Sequence, residues 1–153
     1  MNLTILAIGK MKKTASEKAL IDSYIKQTGW KINIIELEEK KSLNGQALKD
    51  AESELLLKHV PQGAKIIVLD ERGENITSRQ FAQQLISWQD LGCRNIALLI
   101  GGADGHAEIL RKKADLILSF GKMTLPHMLL RLVLCEQLYR AYTISIGHPY
   151  HKD

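Results

Sequence analysis

A chain of 153 residues, 45% hydrophobic and 25% charged, buries roughly 70% of its unfolded surface and has the profile of an ordinary globular protein. No apolar run approaches the ~20 residues that span a bilayer, and no basic stretch precedes a long apolar core at the N-terminus, so neither a membrane span nor a signal peptide is expected. Two cysteines, Cys93 and Cys135, are too few for a disulfide scaffold and point to a reducing compartment, by default the cytoplasm.

The net charge of +4 is unevenly spread. Residues 1–35 hold six Lys against two acids, residues 36–90 seven basic against ten acidic, and residues 91–153 eight basic against five acidic. Basic ends around an acidic middle suit a nucleic-acid-facing surface. Scatter over a solvated surface accounts equally well for so modest an excess.

In chain order, Leu3–Ile8 reads as a strand ending at Gly9, followed by a loop carrying Lys10, Lys12 and Lys13. Thr14 and Glu17 have the spacing of a capping box that opens a helix closed near Gly29. Ile32–Leu37 is a second strand, and Asn44 is placed to cap a helix over roughly 45–59 that Pro61 and Gly63 close. Ile66–Asp70 is a third strand, continuous and β-branched, hence central, with a turn at Glu71–Gly73. Thr77 and Gln80 form another capping box, and Phe81, Ala82, Leu85 and Trp88 give the next helix its apolar face before Gly92 stops it.

Asn95–Ile100 is a buried parallel strand running into Gly101-Gly102, and Asp104 is a reasonable cap for a short helix ending near Ala114. Leu116–Phe120 is the fifth strand. The helix Met128–Tyr142 is apolar on nearly every side, with a thin polar seam of Arg131, Glu136, Gln137 and Arg140. Such a helix needs cover on two sides, and a second copy of the chain is the economical cover. Alternating strands and helices define an α/β parallel sheet with helices on both faces. No linker or repeat breaks residues 1–153, which read as one domain.

Several segments are candidates for chemistry. Gly101-Gly102 lies beyond a strand's carboxyl end, where α/β sheets bind ligands and Gly admits close approach. A tight turn needing positive φ explains the same residues, and neither Gly-x-Gly-x-x-Gly nor a Walker loop is present. Phe120–Pro126 is, at its plainest, the approach to a helix. In the tail, His148 and His151 lack a third partner at metal-ligand spacing, so no metal is expected. Pro149 and Tyr150 stiffen that tail, and an aromatic beside cations suits a splayed RNA base. Arg140 either pairs with Glu136 at i+4 spacing or meets a phosphate or cofactor. Cys135 sits in an apolar helix without an evident base and reads as core.

Leu-Leu-Ile-Gly-Gly (98–102), Met-Thr-Leu-Pro-His (123–127), Glu-Gln-Leu-Tyr-Arg-Ala (136–141) and His-Pro-Tyr-His-Lys (148–152) together resemble the bacterial 23S rRNA pseudouridine N3-methyltransferases, small members of the SPOUT class of knotted RNA methyltransferases. The resemblance spans the whole chain. It implies a parallel-sheet SPOUT fold with a C-terminal trefoil knot, and S-adenosylmethionine (SAM) as methyl donor. Carried over by motif, cofactor contacts fall on Leu69, Gly101 and the loop Phe120, Gly121, Lys122, Met123, Thr124 and Leu125.

It further implies a homodimer through the C-terminal helix, a tail lying near the methyl donor, and 23S rRNA within assembled ribosomes as substrate. The expected catalytic group is Arg140 to stabilise charge, with Tyr150 or His151 to orient the imide. The Lys10–Lys13 loop and the tail are expected to meet phosphates. Rival expectations are a SPOUT enzyme for another RNA nucleoside, a non-catalytic ribosome-binding factor and a generic nucleotide-binding α/β domain. The chain departs from the family pattern at Asp104 and His106.

Overall fold

The computed structural model describes residues 1–151. Ten elements alternate along it: β1 (Asn2–Ile8), α1 (Ser16–Gln27), β2 (Lys31–Leu37), α2 (Gly45–Lys58), β3 (Lys65–Glu74), α3 (Ser78–Asp90), β4 (Asn95–Ile100), α4 (Glu108–Lys113), β5 (Leu116–Leu118) and α5 (His127–Ser145). The five strands form one sheet in the order β2-β1-β4-β3-β5, and every pairing is parallel.

Side chains alternate across the pleat. Leu3, Ile5 and Ala7 of β1 and Ile96, Leu98 and Ile100 of β4 face a core shared with α1, α3 and α5. Leu6, Ile8, Val68, Ala97 and Leu99 face the opposite layer, against α2 and α4. Because both layers cover the central strands, β4 is buried from Ile96 to Ile100, which is why its sequence is continuously apolar. All strands run the same way, so the ends of β1, β3, β4 and β5 open on one edge.

Helix α5 lies between α1 and α3 on the sheet. Leu134, Cys135, Leu138 and Ala141 are fully buried there, and burial pushes the Cys135 thiol up to about 12. Its own chain thus covers more of α5 than the apolar pattern implies; Leu129 remains exposed, and Leu132 and Val133 are half-buried. Arg131 is not part of a solvated seam. It is 1% exposed, and it donates from Nη1 to Glu36 Oε1 at 2.7 Å and from Nη2 to the carbonyls of Ile8 and Gly9 at 2.9 and 2.7 Å.

Local details differ from expectation for physical reasons. Both bonds of the Thr77–Gln80 capping box form, but α1 starts at Ser16 with Ala15 as an uncapped N-cap. There a backbone turn, Ala15 N–H to Lys12 O at 3.0 Å, sets the start in place of the Thr14 side chain. Asp104 does not cap α4. Gly105 N–H donates to Gly102 O in a tight turn, and α4 begins only after Ala107, whose N–H donates to Ser53 Oγ at 3.0 Å.

Strand β3 runs through the expected turn to Glu74, because Glu74 pairs with Leu118 beyond a bulge. Strand β5 stops at Leu118, two residues short of expectation. Ser119 instead closes a turn, its Oγ donating to Gly121 O at 3.0 Å.

Candidate active site

At the open edge of the sheet, the ends of β3 and β5 and the start of α5 enclose a cleft. It is lined by Leu69, Asp70, Glu71, Leu118, Ser119, Phe120, Gly121, Met123, Thr124, Leu125, His127 and Leu130. Six of the expected cofactor positions therefore share one cavity: Leu69, Phe120, Gly121, Met123, Thr124 and Leu125. Lys122 is exposed in the same loop but is not among the lining residues. Gly101 is not a lining residue either. It follows Ile100, which pairs with Leu69, and so stands beside the cleft's floor.

Against Gly101 stands His106. The imidazole packs so tightly on Gly101 that a Cβ there would stand 2.8 Å from its Cε1. Its Nε2–H donates to Leu69 O at 3.0 Å, so one side chain ties β3, where its pairing with β4 stops, to the turn after β4. Burial pushes the ring's pKa down, against the pull of the Leu69 carbonyl and Asp70, and holds it neutral. His106's own carbonyl accepts from Arg111 Nη1 at 2.7 Å, and that guanidinium also lies 3.6 Å from Asp70 Oδ2.

From the other layer, Glu52 of α2 presses on Gly102, whose Cβ would lie 2.5 Å from Glu52 Oε2. Burial raises the Glu52 pKa, the charge of Asp104 raises it further, and the Gly102 amide opposes both.

The catalytic candidates assemble elsewhere. Gly147, at φ +67°, reverses the chain after α5 in a Schellman arrangement: its N–H donates to Ile144 O, and His148 N–H donates to Thr143 O. The turn folds the tail back onto the helix. The Tyr150 ring then meets Tyr139 edge-on, with centroids 4.7 Å apart, and carries Arg140 Cζ 5.0 Å from its centroid. Arg140 Nε donates to Glu136 Oε1 at 3.0 Å, and Tyr150 O–H donates to the same oxygen at 3.2 Å.

Burial, a hydrogen bond with Tyr24 and the Glu136 charge push the Tyr150 phenol up to about 12, so it is a proton donor near neutrality and not a base. The bond to Glu136 raises Arg140 further. His151, half-buried, ends the described tail; Lys152 lies outside the described residues.

Arg140 and Tyr150 thus come together, but not at the cleft of the same chain. Arg140 stands ten residues beyond the cleft-lining Leu130 on one helix, about 15 Å at 1.5 Å per residue. Sequence reasoning gave no role to Asp70, Glu71 or His127, which line the cleft; the Pro126-His127 step was the available signal.

A separate groove of about 570 Å³ beside the end of β1 is lined by Lys10, Met11, Lys18, Ile21, Asp22, Ile25, Ile34, Ile35, Glu36 and Arg131. Lys10 is exposed there, and Lys12 and Lys13, also exposed, follow it in the same loop. Among the described residues, no three His, Cys, Asp or Glu side chains cluster to hold a metal ion, and no helix is long and apolar enough to cross a membrane.

A parallel α/β sheet with a largely apolar cleft at its carboxyl edge defines a protein built around a small organic ligand or cofactor. Residues 1–151 match the family model described as predicted SPOUT methyltransferase, and the chain belongs to that family. It is 50% identical over 152 residues to the ribosomal RNA large subunit methyltransferase H of Paramagnetospirillum magneticum, and 45% identical to the protein of that name from Rhodospirillum centenum; each comparison covers 99% of both chains. A solved structure, a probable methylase family protein from Haemophilus influenzae Rd KW20, superposes with a TM-score of 0.55 at 13% identity, covering 99% of this chain and 70% of that one, a likeness of fold.

Proposed function

We propose that this single SPOUT domain transfers a methyl group from SAM to N3 of a pseudouridine in 23S rRNA of the large ribosomal subunit, in the cytoplasm. The observation that carries the reading is the gathering of Leu69, Phe120, Gly121, Met123, Thr124 and Leu125 around one cleft, in a chain 50% identical to a large-subunit rRNA methyltransferase. Leu69, Leu118, Phe120, Leu125 and Leu130 offer an apolar sandwich for an adenine ring. The backbone of the 119–125 loop and the Leu69 carbonyl offer polar contacts, while Asp70 and Glu71 at the rim suit a cationic ligand. In the knotted form we propose, the β3 extension wraps the exit of β5, held by Ser119 N–H to Glu74 O at 2.9 Å.

SAM supplies an electrophilic methyl on a sulfonium, and the protein's own groups supply approach and electrostatics. As the new N–C bond forms, the methyl's bond to sulfur breaks with its electron pair left on the sulfur, and the imide proton at N3 passes to solvent. Arg140 stabilises the developing anion, while Tyr150 or His151 orients the imide. Because these residues lie about 15 Å along α5 from their own cleft, we assign the working site to two chains. A homodimer joined through α5 brings the tail of one copy to the cleft of the other and covers Leu129, Leu132 and Val133. The exposed Lys10, Lys12 and Lys13 meet RNA phosphates, a contact that weakens as salt rises.

The test is methyl transfer from labelled SAM to ribosomes lacking the modification, beside the molecular mass in solution. Label in large-subunit RNA and a dimeric mass support the reading. Cofactor binding without transfer to this RNA contradicts it.

A further inference from the structure

His106 is the side chain that touches two of the backbone positions assigned to the cofactor. Its Nε2–H reaches Leu69 O at 3.0 Å, and its ring fills the space that Gly101 leaves by having no Cβ. The residue is 6% exposed, and its Nδ1 has no hydrogen-bond partner. The ring is therefore held by one directional bond and by shape. Because Nε2 must carry the proton to serve Leu69, Nδ1 keeps a bare lone pair.

Strand pairing already sets Leu69 beside Ile100. The pleat does not extend past Ile100, so the separation of the Leu69 carbonyl from the Gly101 backbone depends on what lies between them. A rigid planar ring fixes it; an aliphatic side chain of similar volume fills the space but cannot hold the carbonyl's direction. The surroundings favour the neutral ring. Asp70, Arg111 and His127 are the charged or titratable neighbours; Arg111 and His127 oppose a positive imidazole, Asp70 favours one, and burial outweighs it.

We propose that His106 is a cofactor-positioning residue: through Nε2–H on Leu69 O and its ring against Gly101, it holds β3 at Leu69 and the turn after β4 at the spacing that one adenosyl ligand needs. The inference rests on the cofactor reading above.

Three substitutions separate the roles of the ring's atoms. His106→Leu fills space and loses both nitrogens. His106→Gln places an amide N–H near the Nε2 position, and His106→Asn places a polar atom near Nδ1. The readouts are the Kd of S-adenosylhomocysteine by calorimetry, KM for SAM, kcat at saturating SAM, and a melting curve for each variant.

For His106→Leu, a weakening in Kd of about ten-fold is expected, the worth of one neutral hydrogen bond. KM for SAM rises in step, and kcat at saturation stays within about two-fold, because uniform binding and not transition-state stabilisation is lost. His106→Gln recovers most of the affinity, and His106→Asn behaves like His106→Leu.

Wild-type affinity in His106→Leu overturns the proposal. So does recovery by Asn in place of Gln, which makes Nδ1 the working atom. If His106→Leu does not fold, the ordering of Gln and Asn decides. If the wild-type chain binds no S-adenosylhomocysteine, the cofactor reading itself fails, a result distinct from a His106→Leu variant that binds as tightly as wild type.

Discussion

Arg131 and Glu36 lie 95 positions apart in sequence and form an ion pair at 2.7 Å whose guanidinium is 1% exposed. The same guanidinium bonds the carbonyls of Ile8 and Gly9, so α5 is pinned to the carboxyl ends of β1 and β2. Burial depresses the Arg131 pKa, with Glu36 opposing, but a guanidinium stays charged. Replacing it with Met leaves two carbonyls and a partly buried carboxylate without their donor. The expected cost is about 3–5 kcal/mol, typical of a broken buried pair. A Met variant within about 1 kcal/mol of wild type in urea unfolding would show the pin to be dispensable.

On the proposed function, the tail cluster serves transfer and the cleft serves cofactor binding, and the two can be tested apart. Arg140→Ala should lower kcat by about 10²-fold or more, as expected for losing a group that stabilises developing charge. Its Kd for S-adenosylhomocysteine should stay near wild type, because Arg140 is not among the cleft residues. Tyr150→Phe keeps the edge-on contact with Tyr139 and loses the bond to Glu136, so its effect should be smaller. Single-turnover transfer to ribosomes, beside calorimetry, measures both. Wild-type rates in both Arg140→Ala and His151→Ala remove this cluster from the mechanism.

Two glycines in one loop should respond differently. A Cβ at Gly101 stands 2.8 Å from His106 Cε1, too close for any real contact, so Gly101→Ala displaces the imidazole from Leu69. Cofactor affinity should fall by at least about ten-fold, the loss of one hydrogen bond or more. A Cβ at Gly105 would meet nothing within 4 Å, but the residue sits at φ +78°, so Gly105→Ala should cost about 1 kcal/mol of stability and leave affinity unchanged. Calorimetry and thermal melts on the pair give both quantities.

Glu52 gives a pH dependence with a defined sign. Its folded-state pKa is raised above 4.5, by burial first and Asp104 second, so the native state holds a proton that the unfolded chain releases. Stability is therefore lost as pH rises from 4.5 through the raised value. Glu52→Gln removes that loss, so its melting temperature should exceed wild type at about pH 7 and converge with it near about pH 4. Thermal melts across that range check it; a gap that widens toward acid would reverse the assignment.

The sheet was legible where burial alone dictates sequence. Apolar runs at Leu3–Ile8, Ile66–Leu69 and Ile96–Ile100, broken only by Thr4, become strands because layers on both sides bury most of their positions. The Thr77–Gln80 box was legible because both of its bonds are local. Glu71–Glu74 was not, since its strand character comes from Leu118, far along the chain. The i+4 spacing identified Glu136 as the partner of Arg140, but no spacing links Arg131 to Glu36 or His106 to Leu69. The motifs located the cleft loop; the distance from that loop to the tail appears only once α5 is seen as one unbroken helix.

The measurement that bears most directly on the central claim is the position of the methyl group. Ribosomes lacking the modification are incubated with this protein and labelled SAM, and the labelled nucleotide is mapped. Label on N3 of one pseudouridine in 23S rRNA, reduced by Arg140→Ala, is the predicted result. Label on a different nucleoside, or none despite demonstrated cofactor binding, contradicts it.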